Sequence, residues 1–394
     1  MWGGRPRPWP GPLAGYRRAD EASAAVQGDR PTWLLARHCA KTGAMKGVPP
    51  TRRQFVASSI AAASAAGLAT AQDEKPKIID AWGHVSLPRF LSAEEFLAIL
   101  DANGVEAAIV GTAATCPDLR ELSRATVQYG DRLRSIGMPM GRSAQERIDC
   151  VSAQMDCGFT GIRLQAELVA REPRLLDLVG KAGGVPYLEG SEGYKAAAPQ
   201  LVDFLQRYPE CVVCGTHFAG PADPVIFSRN EAVGRLFRHP RFLIIFSRQG
   251  YMDREPLRIW TRALVELTGW DRIMYGSEFP VALWRDETYR STQGWIDAAG
   301  LTPTAADRRK FFYENAHRHF FQKSRPARLI DAKWSRTDWK TDAPVWLFQK
   351  RGIDFPEESH RKILRAYLAK GGDARLGSYR DFVTQLCIDM ANKL

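Results

Sequence analysis

Ile78-Ile79-Asp80-Ala81-Trp82-Gly83-His84 is a β-branched run that ends in residues able to do chemistry. Far downstream, Arg272-Ile273-Met274-Tyr275-Gly276-Ser277-Glu278-Phe279-Pro280 repeats that plan: an apolar strand, two small residues, then a carboxylate. Between the two, short β-branched runs alternate with helical stretches. Strands are expected around 78–81, 107–110, 133–137, 161–164, 185–188, 212–215, 242–246 and 272–275. Eight strands separated by helices are the rhythm of an α/β chain folded as a (β/α)8 TIM barrel. The competing α/β class, a doubly wound sheet, needs a reversal of strand order and finds no glycine-rich phosphate loop in its support.

The first interval shows the local logic. Ser92 followed by Glu95 forms a capping box, Phe96, Leu97 and Leu100 give an apolar stripe, and Gly104 stops the helix. A second helix is expected over 194–207 on the same grounds. Past Phe321 the texture changes. Residues 322–356 contain Trp334, Trp339, Trp346, Pro326, Pro344 and Pro356, which predicts an irregular arm lying across the barrel. Two helices are expected after it, about 358–369 and 379–393, the second with Phe382, Leu386 and Met390 four residues apart. The barrel itself is expected to occupy 72–321 and this extension 322–394. The extension is expected to pack on the barrel or on a second copy, which leaves a homo-oligomer open, with a substrate lid as the other reading.

The chain of 394 residues carries a formal charge of +11, but ten Lys and Arg against three Asp and Glu in residues 1–71 supply +7 of it. The remaining +4 is spread without basic runs, which argues against a nucleic-acid surface. Thr51-Arg52-Arg53-Gln54-Phe55-Val56, the mild apolar run 57–68 and Ala69-Thr70-Ala71 follow the order of a twin-arginine signal peptide, expected over 45–71. Its partner is then the twin-arginine export machinery, its destination the periplasm or another exported location. The run is too short for a stable membrane anchor. Residues 1–44 have no apolar periodicity and are expected to be a disordered preamble or one that is not translated, with synthesis starting at Met45. Cys211 and Cys214 have metal or redox spacing, yet strand alternation sends them to opposite faces, so small core residues are expected.

In a barrel of this type, side chains at the C-terminal strand ends build the active site. Those ends carry Trp82 and His84, Arg163 and Gln165, Glu189, His217, Ser247 and Arg248, and Glu278. Taken in order, the motifs resemble the amidohydrolase-related (amidohydrolase 2) family, whose first and last strands end in Asp-x-His-x-His and Gly-Ser-Asp-x-Pro. The stretch Leu97-Ala98-Ile99-Leu100-Asp101-Ala102-Asn103-Gly104-Val105 looks like its first helix and turn. Gly215-Thr216-His217-Phe218-Ala219-Gly220 looks like its His-x-x-Gly strand end, and Asn315-Ala316 like the Asn-Ala opening its terminal barrel helix. The resemblance covers about 78–320.

In zinc-dependent members, the resemblance implies, both first-strand histidines, a histidine after the fifth strand and the final aspartate hold the metal, while the His-x-x-Gly histidine serves as acid or base. This chain keeps His84 and His217 but places Trp82 and Glu278 at two ligand positions, and Glu189 or Gly190 at a third. Indole nitrogen is only a donor and cannot ligate. The expectation is no cofactor or a weakly bound divalent metal ion, with His84 and Glu278 as its ligands if one binds. The family includes lactonase-like members that hydrolyse without metal. On that model Glu278 is the base, its pKa raised by partial burial, His217 delivers the proton and His84 orients the water or the carbonyl. Arg163, Gln165, Glu189, Arg248 and Trp82 are the expected substrate contacts, with Trp82 plugging the barrel mouth and Arg163 pairing to Glu189 as the structural alternatives. The reading is an exported hydrolase of a lactone, ester or amide of a small, carboxylated molecule. A family decarboxylase, or an inactive barrel that binds a small molecule or protein, are the alternatives.

Overall fold

The computed structural model describes residues 76–86, 90–112, 117–251, 254–282, 287–322, 325–335 and 365–372. The expected leader, the arm beyond 335 and the helix at 379–393 lie outside them. Among the described residues, no helix is long and apolar enough to cross a membrane.

Eight strands appear in chain order: β1 (Ile79–His84), β2 (Ala107–Gly111), β3 (Leu133–Gly137), β4 (Gly161–Gln165), β5 (Val185–Glu189), β6 (Val213–Gly215), β7 (Phe242–Phe246) and β8 (Ile273–Tyr275). Each pairs in parallel with the next, and helices fill the intervals. This is the expected barrel. Alternation along each strand divides the apolar side chains between two cores. Ala107, Ile109, Tyr187, Cys214, Leu243, Ile245 and Met274 fill the interior. Ala108, Val110, Leu188, Val213, Ile244 and Ile273 face the helices. Cys214 thus belongs to the interior and Cys211 to the outer layer, both unpaired, as expected of packing residues.

The first strand breaks that alternation in a way that matters for the site. Between Asp80 and Gly83, β1 has one residue more than β2, a β-bulge. The extra residue lets Trp82 join Ile79 and Ala81 in the interior and turns Gly83 outward. A Cβ at Gly83 would lie 2.6 Å from the Phe96 ring of helix Ala93–Ala102, so only glycine allows that helix to approach. Ser92 and Glu95 cap this helix reciprocally, as expected.

The ring closes through loop backbone and one carboxylate. Glu278 N donates to Trp82 O at 2.7 Å and His84 N to Phe279 O at 2.9 Å. Asp80 accepts from Trp82 N (3.1 Å), Ser277 N (2.9 Å), Ser277 Oγ (2.5 Å) and Tyr289 OH (2.8 Å). Complete burial pushes its carboxyl pKa up, against the pull of these donors. Asp80→Ala strands several buried donors and is expected to cost about 2–4 kcal/mol of unfolding free energy, read by urea denaturation. A loss below about 0.5 kcal/mol, the range of an ordinary surface change, contradicts this role.

Two expectations on helix limits are corrected. The helix placed at 194–207 begins at Ala198, because Tyr194 sits at φ 58° in a preceding 3-10 turn and turns its hydroxyl to Leu188 O and Thr216 O. Asn315 does not open the terminal helix. That segment starts at Ala305 behind the Thr304 capping box and runs on through π-helical turns. Asn315 lies buried inside it and donates from Nδ2 to Trp270 O and Ile273 O, anchoring the start of β8. Residues 330–335 lie against helix Leu119–Tyr129 and its N-cap: Ile330 N donates to Ser123 Oγ, and Asp118 bridges Ser335.

Candidate active site

Three successive strand ends hold non-glycine residues in the left-handed region: His217 (φ 51°), Arg248 (φ 65°) and Glu278 (φ 53°). Such backbone costs of order 1–3 kcal/mol per residue and is retained where the surroundings fix it, most often at functional sites. The surroundings are visible at β6. His217 N donates to Ser247 Oγ at 3.2 Å, and Trp260 Nε1 donates to Phe218 O at 2.8 Å.

These ends bring His217, Glu189 and Glu278 together. His217 Nε2 lies 3.3 Å from Glu189 Oε1 and 3.6 Å from Glu278 Oε1, neither with hydrogen-bond geometry. Its Nδ1 faces Ser247 Oγ at 3.0 Å. His84 Nε2 lies 4.0 Å from Glu278 Oε1, and both of its ring nitrogens are buried without a hydrogen-bond partner. Among His84, His217, Glu189 and Glu278 none is more than 8% exposed. The fifth-strand ambiguity is resolved in favour of Glu189, the last residue of β5 and directed into the site.

Two arginines neutralise the two carboxylates. Arg248 Nε donates to Glu278 Oε1 (2.8 Å) and Oε2 (3.0 Å), and its Nη2 reaches Glu278 Oε1 (2.5 Å) while lying 3.4 Å from Glu189 Oε1. Arg163 Nε donates to Glu189 Oε2 at 2.7 Å, and Gln165 Nε2 donates to the same oxygen at 2.6 Å. Arg163 and Gln165, expected as substrate contacts, are thus Glu189 partners first. Trp82 forms the floor. It is 0% exposed, stacks on Tyr187 with centroids 5.4 Å apart, and meets the His84 and His217 rings edge-on at 5.2 and 6.4 Å. Burial withdraws it from the substrate-stacking role the sequence allowed.

The electrostatics overturn one expectation. Burial acts to raise the Glu278 carboxyl, but Arg248, then His217, outweigh it and hold Glu278 well below the usual carboxylate range. Glu189 behaves alike: burial is opposed chiefly by Arg163, and the carboxyl stays ionised. Both histidines move the other way. Burial brings His84 down to about 4 against the pull of Glu278. Burial and then Arg248 lower His217 below its ordinary 6.5. Both imidazoles are therefore neutral at pH 7, between ionised carboxylates. The folded pKa of His84 lies below the unfolded value, so the stability of keeping it neutral is whole above 6.5 and is lost as pH falls toward 4. From pH 7 to 4.5 that loss is about 2–3 kcal/mol. Denaturant titrations at the two pH values check it against His84→Asn, whose loss should be smaller by that amount; equal losses contradict it.

The donor set can be tested against a metal. A catalytic zinc takes three protein ligands, mostly imidazole nitrogen, and an open position. Here Trp82 stands at one first-strand position, Arg248 spans both Glu278 oxygens, and Glu189 Oε2 is taken by Arg163 and Gln165. Among the described residues no group of three or more His, Cys, Asp or Glu is arranged to hold an ion. Residues so disposed do not fit a tightly held zinc.

The sequence did not reveal Asp80 as the closure point, Ser247 as the brace of His217, or Glu287. Burial pushes Glu287 up to about 7, and its Oε2 is buried without a partner. Asp80 stood in the first-strand motif, so a signal existed; Glu287 had none.

Similar solved structures describe the fold alone. An amidohydrolase from Burkholderia multivorans with bound zinc is 15% identical, at TM-score 0.48, covering 62% of this chain and 98% of that one. 5-Carboxyvanillate decarboxylase LigW from Sphingomonas paucimobilis is 13% identical, at 0.47, covering 62% and 99%. 4-Oxalomesaconate hydratase LigJ from Rhodopseudomonas palustris is 15% identical, at 0.46, covering 62% and 95%. No curated protein matches the chain. The amidohydrolase family model matches residues 21–322, more than half of the sequence, and the chain belongs to that family.

Proposed function

We propose that this protein hydrolyses a lactone, ester or amide of a small carboxylated molecule through its own side chains. The observation that carries the reading is the neutral, buried His217 imidazole, with Nε2 between the ionised Glu189 and Glu278. The two carboxylates favour the tautomer protonated at Nε2; in the other, which donates from Nδ1 to Ser247 Oγ and is adopted once substrate and water enter between these groups, Nε2 carries a lone pair for an attacking water. As the water oxygen bonds to the substrate carbonyl carbon, its proton passes to Nε2. The imidazolium so formed lies against two carboxylates, which stabilise it as a buried aspartate does in a hydrolytic triad. When the acyl C–O or C–N bond breaks, His217 returns the proton to the leaving oxygen or nitrogen.

The arginines supply the electrostatics. Arg248, the more exposed at 28% of its side chain against 10% for Arg163, faces the developing oxyanion or a substrate carboxylate. Glu278, held ionised, is better suited to stabilising His217 than to taking up a proton itself. The test is turnover of a panel of carboxylated lactones, esters and amides in buffer containing a chelator. Hydrolysis that persists in chelator and disappears in His217→Ala supports the reading. Release of carbon dioxide instead of hydrolysis assigns a decarboxylase, and a protein that binds panel members without turning any over is a binding module.

We also propose export by the twin-arginine pathway, supported by Arg52-Arg53, the apolar run after them and Ala69-Thr70-Ala71. Replacing Arg52 and Arg53 by Lys should strand a full-length fusion inside the cell; unchanged export removes the proposal.

A further inference from the structure

We infer that Arg248 is the resident cation of this site: its guanidinium supplies the positive charge between Glu189 and Glu278 that a divalent ion would otherwise supply, and its removal opens the pocket to a metal. The geometry is that of a cation between hard donors. Arg248 Nη2 lies 2.5 Å from Glu278 Oε1 and 3.4 Å from Glu189 Oε1. The same two oxygens are the ones that face His217 Nε2, at 3.6 and 3.3 Å. His84 Nε2 approaches Glu278 Oε1 from another side at 4.0 Å. Arg248 thus holds carboxylate oxygens that two imidazole nitrogens also face, the four groups coming from four different strand ends.

A second observation points to a ligand rather than to a mere acidic cluster. His84 is 3% exposed, and neither of its nitrogens nor His217 Nε2 has a hydrogen-bond partner. Buried imidazole nitrogens normally find one. Here the two Nε2 atoms face carboxylate oxygens that Arg248 already approaches. Without the guanidinium, Glu278 loses its paired charge while Glu189 keeps Arg163 on Oε2, and the two Oε1 atoms face two neutral imidazoles, a two-oxygen, two-nitrogen set that suits manganese or zinc. With it, an incoming ion meets a fixed positive charge at contact distance, which at an effective dielectric of about 20 is repulsive by several RT. Arg248 therefore excludes metal electrostatically as well as by volume. The left-handed φ of 65° at Arg248 fits this role, since it is the backbone conformation from which the side chain reaches Glu278.

The inference is independent of turnover, so its failure and that of the hydrolase reading are separable. The test compares the parent protein, Arg248→Met, which keeps most of the aliphatic stem without the charge, and Arg248→Lys, which keeps a cation. Each is titrated calorimetrically with manganese and with zinc, then dialysed and analysed for bound metal. Arg248→Met should bind about one equivalent at least roughly a hundredfold more tightly than the parent, and adding Glu278→Gln should abolish the gain. Arg248→Lys should behave like the parent, which separates charge from vacated volume. Should Arg248→Met unfold in metal-free buffer, thermal melts with and without manganese give the same reading: the ion should restore the folding transition. The inference is overturned by an Arg248→Met protein that binds no more tightly than the parent or is not rescued by manganese. It is equally overturned by a parent that retains an equivalent of metal that Glu278→Gln removes.

Discussion

His217→Ala is expected to lower kcat/KM by about 10²–10⁴-fold on any substrate the panel yields, the range typical of a positioned acid–base group. The size follows from three features of one side chain. Its ring is 4% exposed and neutral, so it does not have to lose a proton before accepting one. Its Nδ1 is braced on Ser247 Oγ at 3.0 Å, which fixes the direction of Nε2. Its protonated form is stabilised by Glu189 and Glu278, both held ionised by arginines. The pH profile, read where denaturation shows the protein folded, supplies a second readout. Because the active form is the deprotonated imidazole and its pKa is lowered, kcat/KM should be level above the ordinary 6.5 and fall only at lower pH. Ser247→Ala should shift or blur that limb at modest cost in rate. A His217→Ala enzyme with the parent rate, or a limb whose midpoint lies above 6.5, removes His217 from the reaction.

The barrel was legible because its signals are local and repeated. Each expected strand lies within one or two residues of an observed one at all ends but the last of β1, because alternation and intervening caps such as Ser92–Glu95 are written in neighbouring residues. β1 extends to His84 where the run of apolar residues suggested Ala81, since the bulge that keeps it paired has no signature beyond Gly83. The members of the site were legible for a related reason: in a barrel, position at a strand end is itself an address. What those members do to one another was not. Burial alone raises a carboxylate pKa, and no neighbouring residue indicates that Arg248 lies across Glu278 and reverses the sign. Arg163 marks the edge of that limit, since pairing to Glu189 was one of the two readings open for it and only the fold decides between them. Its pairing with Glu189 depends on β4 and β5 standing in register, Arg163 opposite Tyr187 and Gln165 opposite Glu189, a matter of sheet geometry rather than of sequence neighbours.

Trp82→Ala is expected to destabilise the fold by about 3–5 kcal/mol, the cost of removing a large aromatic ring from a closed core. The surroundings indicate that this cavity will not collapse. Trp82 is 0% exposed and rests on Tyr187, itself 0% exposed. The neighbouring strands have made room for the indole with glycine: a Cβ at Gly111 would lie 2.8 Å from its Cη2, and one at Gly276 would lie 3.0 Å from its Cβ. A barrel interior is held by backbone pairing on every side, so these walls cannot move in to fill the space. Trp82→Phe retains most of the ring volume and should cost clearly less than Trp82→Ala. Urea denaturation of the three proteins, with m-values compared to confirm a common unfolding transition, measures the effect. A Trp82→Ala loss below about 1 kcal/mol shows that the indole is not filling the interior, and returns it to the substrate side of the site. The stability result also bears on chemistry, because the His84 and His217 rings meet this indole edge-on at 5.2 and 6.4 Å. A floor that sags under both imidazoles should lower kcat more than it raises KM, whereas a lost stacking surface for substrate would appear mainly in KM.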